Sequence, residues 1–258
     1  MSHPHEEFLR PGSFPTVWCP GCGIGSVLYA MIDALAEKKA VQEMPLIATG
    51  LGCTQKIGDC LDLESFSLSH GRAVDFSIEY LNDHPGKRVI CFLNNADFML
   101  TGAEDFLRAR GSHVPLLIIY INNFIYTLSG SEGFPMTPYM RKSVDGEFEL
   151  PFNIPRMTKA IEADYGARWT PLRAGWLKYS ILEALDIQGL SVIEVLNPCL
   201  IYESGSRRLL NAAERMKFYD EKTRISHFAP PEEWDIRTRG QIIIGQFIDR
   251  NSGEKTAR

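Results

Sequence analysis

The sequence lacks any apolar run of about 18 residues, so no segment reads as a membrane-spanning helix. It also lacks an excess of basic charge. Lys and Arg number 27 against 32 Asp and Glu, for a net charge of −5, which points away from nucleic acid as a partner. It has no secretory leader pattern: the opening stretch MSHPHEEFLRPGSFP is polar and carries glutamates, where a signal peptide has an apolar core. Cysteine is scarce, with six in 258 residues. Together these features argue for a reducing compartment, the cytoplasm, where clustered cysteines bind metal or do redox work more often than they form structural disulfides. Internal repeats and low-complexity linkers are absent too, which favours a single domain over residues 1–258.

The rest is globular composition, 45% hydrophobic and 23% charged, in a chain long enough to bury a large core. Apolar spacing predicts helices over Ile24–Ala36, Gly71–Asp83, Gly102–Arg110, Met157–Tyr165 and Leu177–Leu185, and a charged helix over Arg208–Lys222. Short apolar runs predict strands over Pro45–Gly52, Lys87–Asn94, Val114–Ile121 and Leu190–Val195, with a late edge strand over Gln241–Ile248. The polar segment Thr137–Pro155 reads as a flap. Strands that are apolar on both faces and alternate with helices imply an α/β fold, a mostly parallel sheet with helices on both faces. Ligands of such sheets sit beyond the carboxyl ends of the strands. That directs attention to TGLGC, NNAD and NNFIYTLSG, which follow three of those strands.

Cys19 and Cys22 stand in WCPGCG, Cys53 in GLGC and Cys199 in NPC, all in loops with turn residues. Cys91 lies inside a core strand and Cys60 among apolar and acidic residues, and both read as small buried hydrophobes. Four loop thiolates suit a [4Fe–4S] cluster or zinc. A C-x-x-C pair alone also fits a redox dithiol, or no site at all. Asn95 and Asn123 each follow an apolar strand, and amide and carbonyl oxygens suit a hard divalent cation. Asparagine equally suits a tight turn. In SLSHGRA, His70, Gly71 and Arg72 open a helix, a fair anion site or simply a helix start.

In combination, WCPGCG, GLGC, SHGRA, the turn near residue 95, NNFIYTLSG and NPC resemble the β subunit of 2-oxoacid:ferredoxin oxidoreductases, over roughly residues 13 to 250. The resemblance implies a single thiamine-diphosphate-binding domain. Cys19, Cys22, Cys53 and Cys199 would ligate one [4Fe–4S] cluster. Asn95, the Asn123 side chain and the Ile125 carbonyl would hold Mg²⁺. His70 would lie near the diphosphate and act in catalysis. Gly23, Gly71, Arg72, Ala96, Asp97, Tyr126, Thr127, Leu128 and Ser129 would line the cofactor, with Leu128 bending it into its reactive shape. The activating glutamate would come from an α subunit, so the chain would work only in a complex. A 2-oxoacid and coenzyme A would be its substrates, and a ferredoxin-like subunit and ferredoxin its electron partners.

The resemblance has departures. The family's GDGD is Asn94-Asn95-Ala96-Asp97 here. That change removes a carboxylate that Mg²⁺ favours, although Asp97 stands two residues away. The usual GMTGGQ becomes Thr127-Leu128-Ser129-Gly130-Ser131-Glu132, and Asp105 and Arg108 stand where histidines are usual. Two alternatives follow from these changes: a degenerate subunit that keeps the cluster as an electron relay or scaffold, and a zinc-stabilised α/β protein of another function.

Overall fold

The structure is a computed structural model describing residues 5–14, 16–39, 43–124, 152–197, 199, 212–236 and 240–250. Its centre is an eight-stranded sheet in the order β2-β1-β3-β4-β6-β5-β8-β7. The strands are β1 (Leu46–Thr49), β2 (Ser65–Ser67), β3 (Val89–Asn94), β4 (Leu116–Asn122), β5 (Tyr165–Trp169), β6 (Ser191–Leu196), β7 (Thr223–Ile225) and β8 (Ile242–Asp249). Neighbouring strands run parallel, except that β8 lies antiparallel to β5.

The strand side chains show why the sheet needs cover on both faces. Along β3, Ile90 and Phe92 enter one apolar cluster while Val89, Cys91 and Leu93 enter another. Along β4, Leu117, Ile119 and Ile121 join the first while Leu116, Ile118 and Tyr120 join the second. This is the two-residue alternation of a strand, apolar in both phases. Helices α1 (Ile24–Lys38) and α6 (Ala174–Asp186) contribute to the first cluster, as does Ile57 of α2 (Gln55–Cys60). Residues of α3 (Ala73–Asp83), α4 (Asn95–Ser112) and α5 (Ile154–Ala160) contribute to the second. The doubly covered, mostly parallel sheet is the expected fold class. Cys60 and Cys91 are buried as anticipated.

Several element expectations are corrected. Helix α4 begins at Asn95 rather than Gly102, because the Asn94 side chain accepts from the Ala96 and Asp97 N–H groups and Asp97 returns a bond to the Asn94 N–H. This reciprocal cap starts a helix where the sequence read a turn. The helix expected over Met157–Tyr165 lies earlier, as α5, capped by the Asn153 side chain and opened by Pro155. Tyr165 instead begins β5. The short elements α2 and β2 carry too little periodicity to show in sequence. Strand β8 is not an edge strand, since β7 pairs with its far side. Of the predicted flap, residues 137–151 lie outside the described residues, while Ile154 and Pro155 belong to α5. The charged helix is described as α7 (Ala212–Lys222). No helix among the described residues is long and apolar enough to cross a membrane.

Candidate functional site

Because β1, β3, β4 and β6 run parallel, their carboxyl ends share one edge of the sheet. The segments 50–54, 94–97 and 122–124, with Asn197 and Cys199, therefore meet there, although the sequence spreads them across most of the chain.

The cysteine side is built by short-range backbone bonds. The Cys22 N–H donates to the Cys19 carbonyl at 2.9 Å, and Gly21 takes φ +86° inside that turn, a conformation glycine adopts without cost. Trp18 is buried, and its indole N–H donates to the Cys53 carbonyl at 2.9 Å. The Cys199 N–H donates to the Asn123 carbonyl at 3.2 Å, and the Asn197 N–H to the Asn122 carbonyl at 2.9 Å. The Asn197 side chain closes the group: its Oδ1 accepts the Gly23 N–H at 3.0 Å and its Nδ2 donates to Cys22 Sγ at 3.7 Å. Gly23 fits only without a side chain, because a Cβ there would stand 2.2 Å from Pro171 Cγ and 2.5 Å from Asn197 Oδ1.

The thiols influence one another. Burial pushes the Cys53 thiol up to about 11, helped by Cys22, Cys199 and Cys19. Burial also raises Cys22, with Cys19 and Cys199 adding to the rise and the Ile24 N–H and Asn197 opposing it. Such coupling requires the four sulfurs to be near neighbours. Cys19 is exposed, and the other three are half-buried. Among the described residues no group of three or more His, Cys, Asp or Glu side chains is placed so that it could hold a metal ion. As a donor set the four cysteines are all sulfur, which suits iron–sulfur chemistry and offers nothing to a hard cation.

The polar side centres on Asp97. It is 1% exposed. Its Oδ1 lies 2.6 Å from His70 Nδ1, and its Oδ2 accepts the Asn94 N–H at 3.0 Å. Burial raises its carboxyl above the ordinary range, against the opposing pull of His70 and of the Asn94 and Gly71 backbone. Gly50 packs against the carboxylate, where a Cβ would stand 2.0 Å from Oδ2. Whenever Asp97 is ionised it only accepts, and His70 Nδ1 then carries the proton of that bond. Asn94 reaches back with Nδ2 to the Leu51 carbonyl at 2.8 Å and to Thr54 Oγ1 at 3.1 Å, tying the GLGC loop to the head of α4. Gly71 has φ +75°, and Arg72, at the N-cap position of α3, pairs its guanidinium with Asp75, which Arg108 also pairs.

Asn95 departs from expectation. It is fully buried, its Oδ1 accepts the Tyr120 hydroxyl at 2.7 Å, and its Nδ2 has no hydrogen-bond partner among the described residues. The oxygen expected to face Mg²⁺ is thus engaged inside the protein. Asp97 does not replace it, because both of its oxygens serve His70 and Asn94. The described residues of this loop therefore do not fit a hard divalent cation. Ala96 is half-buried, with its N–H capped by Asn94. Asn123 is brought beside Cys199 through its carbonyl. Ile125, Tyr126, Thr127, Leu128 and Ser129 lie outside the described residues.

Beneath the site runs a buried ionic chain that sequence reading missed. Arg168 Nε donates to Glu194 Oε2 at 2.6 Å, and Arg168 Nη1 to the Trp234 carbonyl at 2.7 Å. Asn122 Nδ2 donates to Glu194 Oε1 at 2.7 Å, while its Oδ1 accepts the N–H of Phe124, which sits at φ +60°. A Glu inside LSVIEV was the one visible signal, a charge in an apolar strand. Asn94 and Asn197 were missed as well, each read only as a turn residue.

Residues 50–195 match the family described as thiamine pyrophosphate enzyme, C-terminal TPP binding domain. The 2-oxoglutarate synthase subunit KorB of Methanocaldococcus jannaschii is 28% identical over 96% of this chain and 92% of its own. The subunit of the same name from Archaeoglobus fulgidus is 32% identical over 77% of this chain and 75% of its own. A solved 2-oxoglutarate:ferredoxin oxidoreductase from Magnetococcus marinus superposes with a TM-score of 0.75 at 18% identity, over 98% of this chain and 85% of that one, and so shares the fold. By the match over more than half its length and by these relatives, the chain belongs to the thiamine pyrophosphate enzymes, among the β subunits of 2-oxoacid:ferredoxin oxidoreductases.

Proposed function

We propose that this chain is the β subunit of an oxidoreductase that converts a 2-oxoacid and coenzyme A into an acyl-CoA and carbon dioxide, or runs the reverse. Two electrons pass through a [4Fe–4S] cluster toward ferredoxin. The observation that carries this reading is the convergence of Cys19, Cys22, Cys53 and Cys199, from three sequence-distant loops, at the carboxyl edge of a thiamine-binding sheet. Four thiolates are the donor set that such a cluster takes. The relatives' names favour 2-oxoglutarate as the 2-oxoacid.

Thiamine diphosphate, when bound, supplies the electron sink for decarboxylation. The chain's own residues position and shield it. Gly23, Gly71, Arg72, Ala96, Tyr126, Thr127, Leu128 and Ser129 are proposed to line the cofactor, and His70 to face the diphosphate as the catalytic side chain. Asp97 holds His70 from behind. Asn95, Asn123 and the Ile125 carbonyl are proposed to hold Mg²⁺, and the Tyr120 bond to Asn95 speaks against the first of them. An α subunit completes the site, a ferredoxin-like subunit is a further partner, and the complex works in the cytoplasm.

The neutral Asn95 loop favours a second reading, in which the chain relays electrons or scaffolds a larger complex without thiamine chemistry. Purifying the chain with its partners and assaying bound metal and cofactor separates the two. Iron together with thiamine diphosphate supports the first reading, and iron alone the second. Zinc in place of iron would overturn both.

A further inference from the structure

We propose that Asn197 is a positioning residue that raises the reduction potential of the cluster by hydrogen-bonding the Cys22 sulfur. This rests on the cluster reading above. Asn197 is 5% exposed and held at both ends. Its backbone N–H donates to the Asn122 carbonyl at 2.9 Å, and its side chain lies between Gly23 and Cys22. The amide orientation follows from the network, since the Gly23 N–H can only donate and the atom facing it must be the amide oxygen. The NH₂ group then faces Cys22 Sγ, at 3.7 Å.

Thiolates that ligate iron take on more negative charge when the cluster is reduced. An N–H aimed at the sulfur stabilises that charge, so the reduced state gains more than the oxidised one. The donor cannot swing away without breaking the Gly23 bond, and Gly23 cannot retreat because Pro171 stands behind it. Asn197 also reaches Glu194 and Arg168 through Asn122. The cysteine loop and the asparagine loop after β4 are thereby set by one buried frame.

The test uses the complex of this chain with its partner subunits. Asn197→Ala removes the donor without adding charge. Asn197→Asp keeps the oxygen for Gly23 and replaces the NH₂ with a second oxygen. Iron content and the midpoint potential of the cluster are measured by spectroelectrochemical titration. With iron retained, the Ala variant should hold about fivefold less reduced cluster at a fixed potential, and the Asp variant less still. An Ala variant with full iron and an unchanged potential overturns the proposal. Iron loss in both variants also overturns it, since Asn197 would then be a scaffold only. Iron absent from the unaltered complex overturns the cluster reading itself, and this inference with it.

Discussion

The buried carboxylate of Asp97 and the Nδ1 of His70 lie 2.6 Å apart, the acid 1% exposed and the ring at the solvent edge. The pair joins the loop after β2 to the first turn of α4 after β3, and holds an imidazole at the carboxyl edge of the sheet. Burial works against the Asp97 charge. Asp97 therefore takes up a proton more readily in the folded chain than in the unfolded one. Stability from this group is full below the ordinary carboxylate range and is lost as pH rises through the raised folded value.

Asp97→Asn should remove that loss. As pH rises above the ordinary carboxylate range the unaltered chain should lose more stability than the variant, as read by thermal melts across pH. Thiamine diphosphate affinity should fall about tenfold, because the ring is no longer held. A variant whose stability tracks the parent at every pH would show that Asp97 is not strained.

Asn95→Asp places a carboxylate against the Tyr120 hydroxyl in a site with no exposure. Folding stability should drop by about 2 kcal/mol or more in urea titrations. Mg²⁺ affinity, measured by calorimetry, should not change. A clear rise in Mg²⁺ affinity would mean that this side chain turns to face the cation after all.

The metal-free thiols should alkylate in order. Cys19 is exposed and should be modified first by iodoacetamide at about pH 8. Half-buried Cys53, pushed up to about 11, should react slowly, since only about one in a thousand of its thiols is ionised at that pH, and the fully buried Cys91 should be last. Peptide mass spectrometry at timed intervals reads the order, and fast modification of Cys53 would contradict the coupled, buried group.

Arg168 and Glu194 are both fully buried and bonded to each other. Removing one, as in Arg168→Met or Glu194→Gln, should cost about 3–5 kcal/mol in chemical unfolding. The double replacement should recover part of that loss. Strictly additive costs would show that the two charges are independent.

The sheet was largely legible in the sequence. Runs such as KRVICFLN and VPLLIIYI are apolar in both strand phases, and only a sheet covered on both faces buries both. The cysteine loops were legible too, since WCPGCG, GLGC and NPC announce turns. The start of α4 was not, because Asn94-Asn95-Ala96-Asp97 forms a cap only when Asn94 and Asp97 bond reciprocally, and the same residues serve a turn equally well. Strand β8 looked like an edge because nothing in QIIIGQFI tells which strand will pair with its far side.

Sequence alone determined the residue chemistry at the site: four loop cysteines, a histidine before a glycine, and asparagines at strand ends. Local composition and spacing settle such features, because they depend on near neighbours. Tertiary structure alone decided which of these groups face the site and which are used up beneath it. It turned Asn95 inward to Tyr120, set Asp97 behind His70, and aimed Asn197 at Cys22. Each of those outcomes depends on a partner far away in the chain, and only the parallel sheet, by bringing its strand ends to one edge, supplies that partner.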